Sequence, residues 1–155
     1  MFLQNLRAKV GARLNGDREA GFTLIELLVV MLILGILAAI ALPAFFNQRE
    51  KAGDAKAKEY AHSAQVAIET YFTDNGTYAG SEAAGKLTAI EPTLASASLE
   101  ITDSGGAGTP DADSYRVTSK STNSRKFWVD NSKGTFTFKC APVGGGCPAS
   151  ENWSQ

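Results

Sequence analysis

Glu26 stands inside a segment that is otherwise apolar from Phe22 to Leu42, directly behind the run Gly21-Phe22-Thr23-Leu24-Ile25. A charged side chain near the centre of a membrane helix costs about 2.5–3.5 kcal/mol on insertion scales, so a carboxylate kept there points to a function and needs a partner. The expected partner is a newly made α-amine. The other groups able to do chemistry form no catalytic constellation. His62, the only histidine, lies in a helical stretch without a Ser or Cys nucleophile and a carboxylate arranged around it, and reads as a surface or packing residue. Asp103, Asp111 and Asp113 lie among Gly105, Gly106 and Gly108, but their spacing fits no defined calcium loop and indicates a solvated one. No metal site, cofactor site or catalytic residue is assigned.

Cys140 and Cys147, the only two cysteines, are close together near the C-terminus. On the outer side of a membrane they are expected to pair, and by loop entropy the small closed ring contributes about 2.5 kcal/mol. Two free thiols are the alternative; a zinc site would need more ligands than one histidine and two cysteines supply.

The elements that must position these residues begin with the apolar segment. Phe22 to Leu42 is 21 residues, close to the roughly 20 that span a bilayer. Ahead of it, Arg7, Lys9, Arg13 and Arg18 outnumber Asp17 and Glu19. This excess places residues 1–21 on the cytoplasmic side and the C-terminal part outside. A secretory signal would be cut after its apolar region, which here is about twice too long; a cut before it would remove 1–21 and keep the anchor. The remaining 134 residues carry 11 basic and 14 acidic side chains. That mild acidity leaves no concentrated basic footprint for nucleic acid.

Beyond Pro43 the helical pattern continues in polar form, with Tyr60, Ala64, Ala67, Ile68 and Tyr71 on one face and Thr73-Asp74-Asn75-Gly76 as its stop. Residues 76–98, rich in Ala, Ser and Gly, read as a connecting loop with room for one short helix. Alternation then predicts strands at Leu99–Thr102 and around Tyr115 and Val117, followed by a hairpin. Its strands carry Phe127 and Val129, and Phe136, Phe138 and Cys140, joined through Asp130-Asn131-Ser132-Lys133-Gly134.

The charged leader ending in Gly21, the aromatic Phe22, the carboxylate Glu26 four positions on and the apolar run closed by Pro43 together resemble the processing site and N-terminal helix of type IV pilins and pseudopilins, prepilins with a class III signal sequence. The resemblance covers residues 18 to about 75 and implies an α+β fold. This is a pilin-like lollipop, in which a long N-terminal helix, hydrophobic then amphipathic, packs on a small antiparallel β-sheet of three or four strands. The implied layout is a leader at 1–21, a membrane and polymerisation helix at 22–43 and an extracytoplasmic domain at 44–155. That domain divides into helix 44–75, loop 76–98, sheet 99–140 and a disulfide-closed region 140–155.

The resemblance further implies cleavage between Gly21 and Phe22 by a prepilin peptidase, N-methylation of Phe22, assembly through Glu26, and a helix break between Gly35 and Pro43 on entering a fibre. Ordinary tolerance of Gly and Pro in a membrane span is the other reading of those two residues. It implies as partners the chain itself in a homopolymeric filament, the peptidase, an inner-membrane assembly platform and its ATPase. The implied function is a structural, non-enzymatic pilus subunit, anchored in the cytoplasmic membrane and then carried on the cell surface. The alternatives are a type II secretion pseudopilin and a DNA-uptake pilin. Lys120, Arg125, Lys126, Lys133 and Lys139 are the support for nucleic acid, and a solvated sheet edge explains them more simply.

Overall fold

The computed structural model describes residues 22–83 and 85–154; Gly21 and the rest of the leader lie outside them. Helix α1 runs from Leu24 to Asn75. It passes from one compact unit, which ends at Pro43, into a second, Ala44–Gln155.

In the first unit α1 is apolar and every residue from Leu24 to Pro43 is exposed. The helix is long and apolar enough to cross a membrane, and its apolar window has no buried residue. Leu, Ala and Met favour this helix locally, but no described residue of its own unit covers its surface. The helix passes through Gly35 and Pro43 without interruption. Pro43 withholds one N–H from the preceding turn, and the continuous ladder on either side absorbs that single loss.

In the second unit α1 buries Asp54, Ala57, Ala61, Ala64, Ala67 and Ile68. Ala64, Ala67 and Ile68 of the stripe expected around Tyr60 to Tyr71 are thus buried, and its two tyrosines are not. Small side chains let the sheet approach the helix closely, while the two tyrosines sit at the rim and use their hydroxyls: Tyr60 Oη lies 2.8 Å from Ser96 Oγ, and Tyr71 Oη donates to Ala79 O at 3.4 Å. The loop after α1 holds α2 (Lys86–Ile90) and a 3₁₀ turn (Pro92–Ser96), one element more than expected. Each supplies a buried leucine, Leu87 and Leu94.

Strands β1 (Leu99–Thr102), β2 (Ser114–Lys120), β3 (Lys126–Ser132) and β4 (Thr135–Ala141) form one antiparallel meander in the order β1-β2-β3-β4. Tyr115 and Val117 on β2, Phe127 and Val129 on β3, and Cys140 on β4 point into the core with the α1 alanines. This α+β arrangement of an N-terminal helix and a four-stranded sheet is the fold expected from the sequence.

The β3–β4 connection is tighter than the five residues expected. β3 continues to Ser132, and only Lys133 and Gly134 make the turn, both at positive φ (51° and 86°), as a two-residue primed hairpin requires. Asp130 and Asn131 belong to the strand because each has a partner there. Asp130 holds Arg116 at 2.6 and 2.8 Å, and the buried Asn131 Nδ2 donates to Glu69 Oε1 and Tyr78 Oη.

The chain end returns along β4. Cys140 N donates to Glu151 O, Trp153 N to Phe138 O, and Trp153 Nε1 to Lys139 O at 2.7 Å. The Trp153 ring meets His62 and Phe138 at centroid distances of 4.8 and 5.3 Å, so the single histidine is a packing residue.

Candidate functional site

Thr23 and Glu26 are three residues apart at the start of α1, and together they close it. Thr23 N and Oγ1 both donate to Glu26 Oε2, at 2.7 and 2.9 Å, and Glu26 N donates to Thr23 Oγ1 at 3.3 Å. This reciprocal capping box satisfies amide groups that a helix start leaves without partners. It also places the carboxylate where the helix dipole favours negative charge. The spacing Thr-x-x-Glu is legible in the sequence, but the apolar surroundings of Glu26 drew attention to a partner outside the helix instead. Among the described residues Glu26 Oε1 makes no hydrogen bond, so the carboxylate keeps capacity for a second partner. Phe22, one residue before the cap, is 82% exposed.

The other expected residues lie apart from this end. Cys140 and Cys147 are bridged, with Cα atoms 5.7 Å apart. The ring they close is fixed to α1 through a residue that sequence reasoning missed. Asp54 has no exposed surface; its Oδ2 accepts from Arg125 Nη1 at 2.9 Å and from Gly146 N at 2.8 Å. The backbone comes so close that a Cβ at position 146 would lie 2.7 Å from Asp54 Cβ, and this is why glycine occupies the ring. Arg125 also reaches Glu50 at 3.5 Å. It is thereby engaged in an ion-pair cluster, which takes one residue from the five that supported the nucleic-acid alternative. The available signal for Asp54 was its i, i+3 and i+7 spacing to Ala57 and Ala61 on the helix face.

A second buried network surrounds Glu69. Tyr78 and Tyr115 donate to its two oxygens at 2.9 and 2.8 Å. Burial first, and then the bond and charge of Glu69, push the Tyr78 phenol up to about 12 and raise Tyr115 as well. Both phenols are held as donors in the core rather than poised for proton transfer at neutral pH. Asp103 and Asp111 serve their own loops, accepting from Ala107 N and from Ser114 Oγ. Among the described residues no three His, Cys, Asp or Glu side chains gather as a metal group.

The family model of the prokaryotic N-terminal methylation motif matches residues 16–42. The type IV wide pilus major component PilA4 of Thermus thermophilus is 34% identical over 122 residues, 79% of this chain and 81% of that protein. The type II secretion system core protein G of Pectobacterium carotovorum is 38% identical over 80 residues, 52% of this chain and 51% of that protein. A fimbrial protein of Neisseria meningitidis is 39% identical over 74 residues, covering 47% and 44%. The chain thus spans about half the length of the secretion protein it matches, but four fifths of the pilus component. No solved structure matches the chain significantly. With a methylation motif over the capped helix start and an alignment that reaches far past it, this chain belongs to the type IV pilin and pseudopilin family.

Proposed function

We propose that the chain is a structural subunit of a type IV pilus-like filament, held in the cytoplasmic membrane before assembly and polymerised through its N-terminal helix. The observation that carries this reading is the first half of α1, a membrane-length apolar surface with every residue exposed and one carboxylate at its start. A prepilin peptidase cuts between Gly21 and Phe22, the new N-terminus is methylated, and an assembly platform driven by its ATPase extracts the subunit. The segment from Gly35 to Pro43 yields helicity as subunits pack.

Glu26 then has two tasks. Within its own chain it caps α1 through Thr23; in the growing bundle its remaining oxygen receives the Phe22 amine of the incoming subunit. A subunit one turn out of register leaves a buried charge without its partner, which costs about 3–5 kcal/mol, so pairing selects the register.

The two tasks separate experimentally. Glu26→Gln keeps the capping geometry, since Gln serves at this position as Glu does, but removes the charge. Glu26→Gln and Glu26→Ala are expected to be exported and cleaved yet nearly absent from the sheared-fibre fraction, while Glu26→Asp retains part of it. Wild-type fibre yield from Glu26→Gln would sink the docking role and leave only the cap.

The similarity to secretion core proteins G of five organisms keeps a second reading, a short pseudopilus subunit of type II secretion. The Cys140–Cys147 closure supports the pilus instead. Deleting the gene decides between them: loss of long surface fibres points to the pilus, loss of secreted enzymes with fibres intact to the pseudopilus.

A further inference from the structure

A cleft of about 340 Å³ opens between α1, the segment following the 3₁₀ turn, and the β2–β3 turn. Its volume lies at the lower end of the range of about 300–1,000 Å³ typical of small-molecule sites. Lys56 and Lys120 line it, no carboxylate does, and its remaining polar groups include the hydroxyls of Tyr60, Ser96, Ser121 and Thr122. A pair of ammonium groups in a concave wall favours an anion.

Three features show that the cleft is built rather than incidental. Tyr60 is fixed in place, its hydroxyl bonded to Ser96 Oγ at 2.8 Å while Lys56 Nζ lies 5.4 Å from the ring centroid. The turn is held close to α1 because residue 53 is glycine; a Cβ there would lie 2.5 Å from Thr122 Oγ1 and 3.3 Å from Ser121 Oγ. Ser121 is 6% exposed and tied by its backbone to Arg125 and Ser124, so the turn that forms this wall is fixed in place.

We propose that this cleft binds an anionic sugar, a saccharide unit carrying a phosphate, sulfate or carboxylate group. The two lysines hold the acid group, and the hydroxyl wall meets the sugar hydroxyls. The size separates this ligand from a bare inorganic anion, which would leave most of the cleft unfilled. The hydroxyl-rich lining separates it from an apolar acid.

The test uses the full chain in detergent micelles, free of phosphate buffer, with saturation-transfer NMR and calorimetry. Glucose 6-phosphate, glucose and inorganic phosphate are the probes. Glucose 6-phosphate is expected to bind more tightly than either of the others. Lys56→Ala and Lys120→Ala should each weaken it about tenfold or more, the loss typical of one charge-assisted hydrogen bond. Thr122→Val should weaken it less, and Lys133→Ala, whose lysine lies in the β3–β4 turn, not at all. Because these side chains are exposed, unchanged circular dichroism is expected to show that the variants fold. Equal binding of glucose would overturn the anion site, and equal binding of inorganic phosphate the sugar assignment. Full affinity in the Lys56→Ala, Lys120→Ala double variant, or binding of no probe at millimolar concentration, would overturn the proposal altogether.

Discussion

Asp54 shows how one buried charge can be made tolerable. Its carboxylate receives a guanidinium N–H and a backbone N–H at hydrogen-bonding distance, and only then does burial of the pair become affordable in free energy. Asp54→Ala leaves Gly146 N without its acceptor and Arg125 with only its 3.5 Å contact to the half-exposed Glu50, and is expected to destabilise the second unit by about 3–5 kcal/mol in urea unfolding. Glu50, whose side chain is 49% exposed, should cost less than about 1 kcal/mol when truncated. If the two variants unfold alike, the ion pair is not the anchor it appears to be by geometry. Tyr78 gives the same logic a pH dependence. Its phenol titrates at about 12 in the fold and near 10 in the unfolded chain. The stability it contributes is therefore fully present below about pH 10 and lost as pH rises toward 12, at about 1 kcal/mol per pH unit. Urea midpoints followed from pH 8 to 11.5 should fall less steeply for Tyr78→Phe than for wild type; parallel slopes would refute the assignment.

At the scale of elements, the β3–β4 hairpin carries a correctable defect. Lys133 adopts φ 51°, a left-handed conformation that costs most L-residues about 1–2 kcal/mol. Asn followed by Gly is the preferred pair for such a turn. Lys133→Asn should therefore raise stability by about 0.5–1 kcal/mol, seen as a higher urea midpoint with unchanged slope; a lower midpoint would show that the lysine side chain contributes something the backbone argument omits. The same hairpin shows what the sequence disclosed and what it hid. Alternation at Tyr115, Val117, Phe127, Val129, Phe136 and Phe138 was enough to find the strands, because period two is a local property. The extent of β3 was not legible, because Asp130 and Asn131 look like turn residues until Arg116 and Glu69, far away in sequence, are known to be beside them. On the helix face Ala64, Ala67 and Ile68 were legible while the two tyrosines lie at its rim: tyrosine looks more hydrophobic than alanine, but close helix-to-sheet approach selects for smallness. At the helix start, both Thr23 and Glu26 were visible, and only the bond between them was overlooked.

For the whole molecule, the reading commits the mature chain to begin at Phe22. Intact-mass analysis of purified fibres should find a chain that begins at Phe22, with one added methyl group and the Cys140–Cys147 bridge closed. A product that keeps residues 1–21 would end the filament reading, since the Phe22 amine could not form. The return of the chain along β4 bears on how such a molecule escapes the wrong kind of polymer. A meander has two open borders, and each is a template on which another sheet can grow. Here one border is the four-residue β1, too short to offer much of a template. The other is partly occupied by the chain's own last residues, with Glu151 O and Trp153 N taking up the backbone groups of Cys140 and Phe138 and the Trp153 ring locking them down. The two borders of the sheet thus leave little free template for the sheet-to-sheet growth of amyloid.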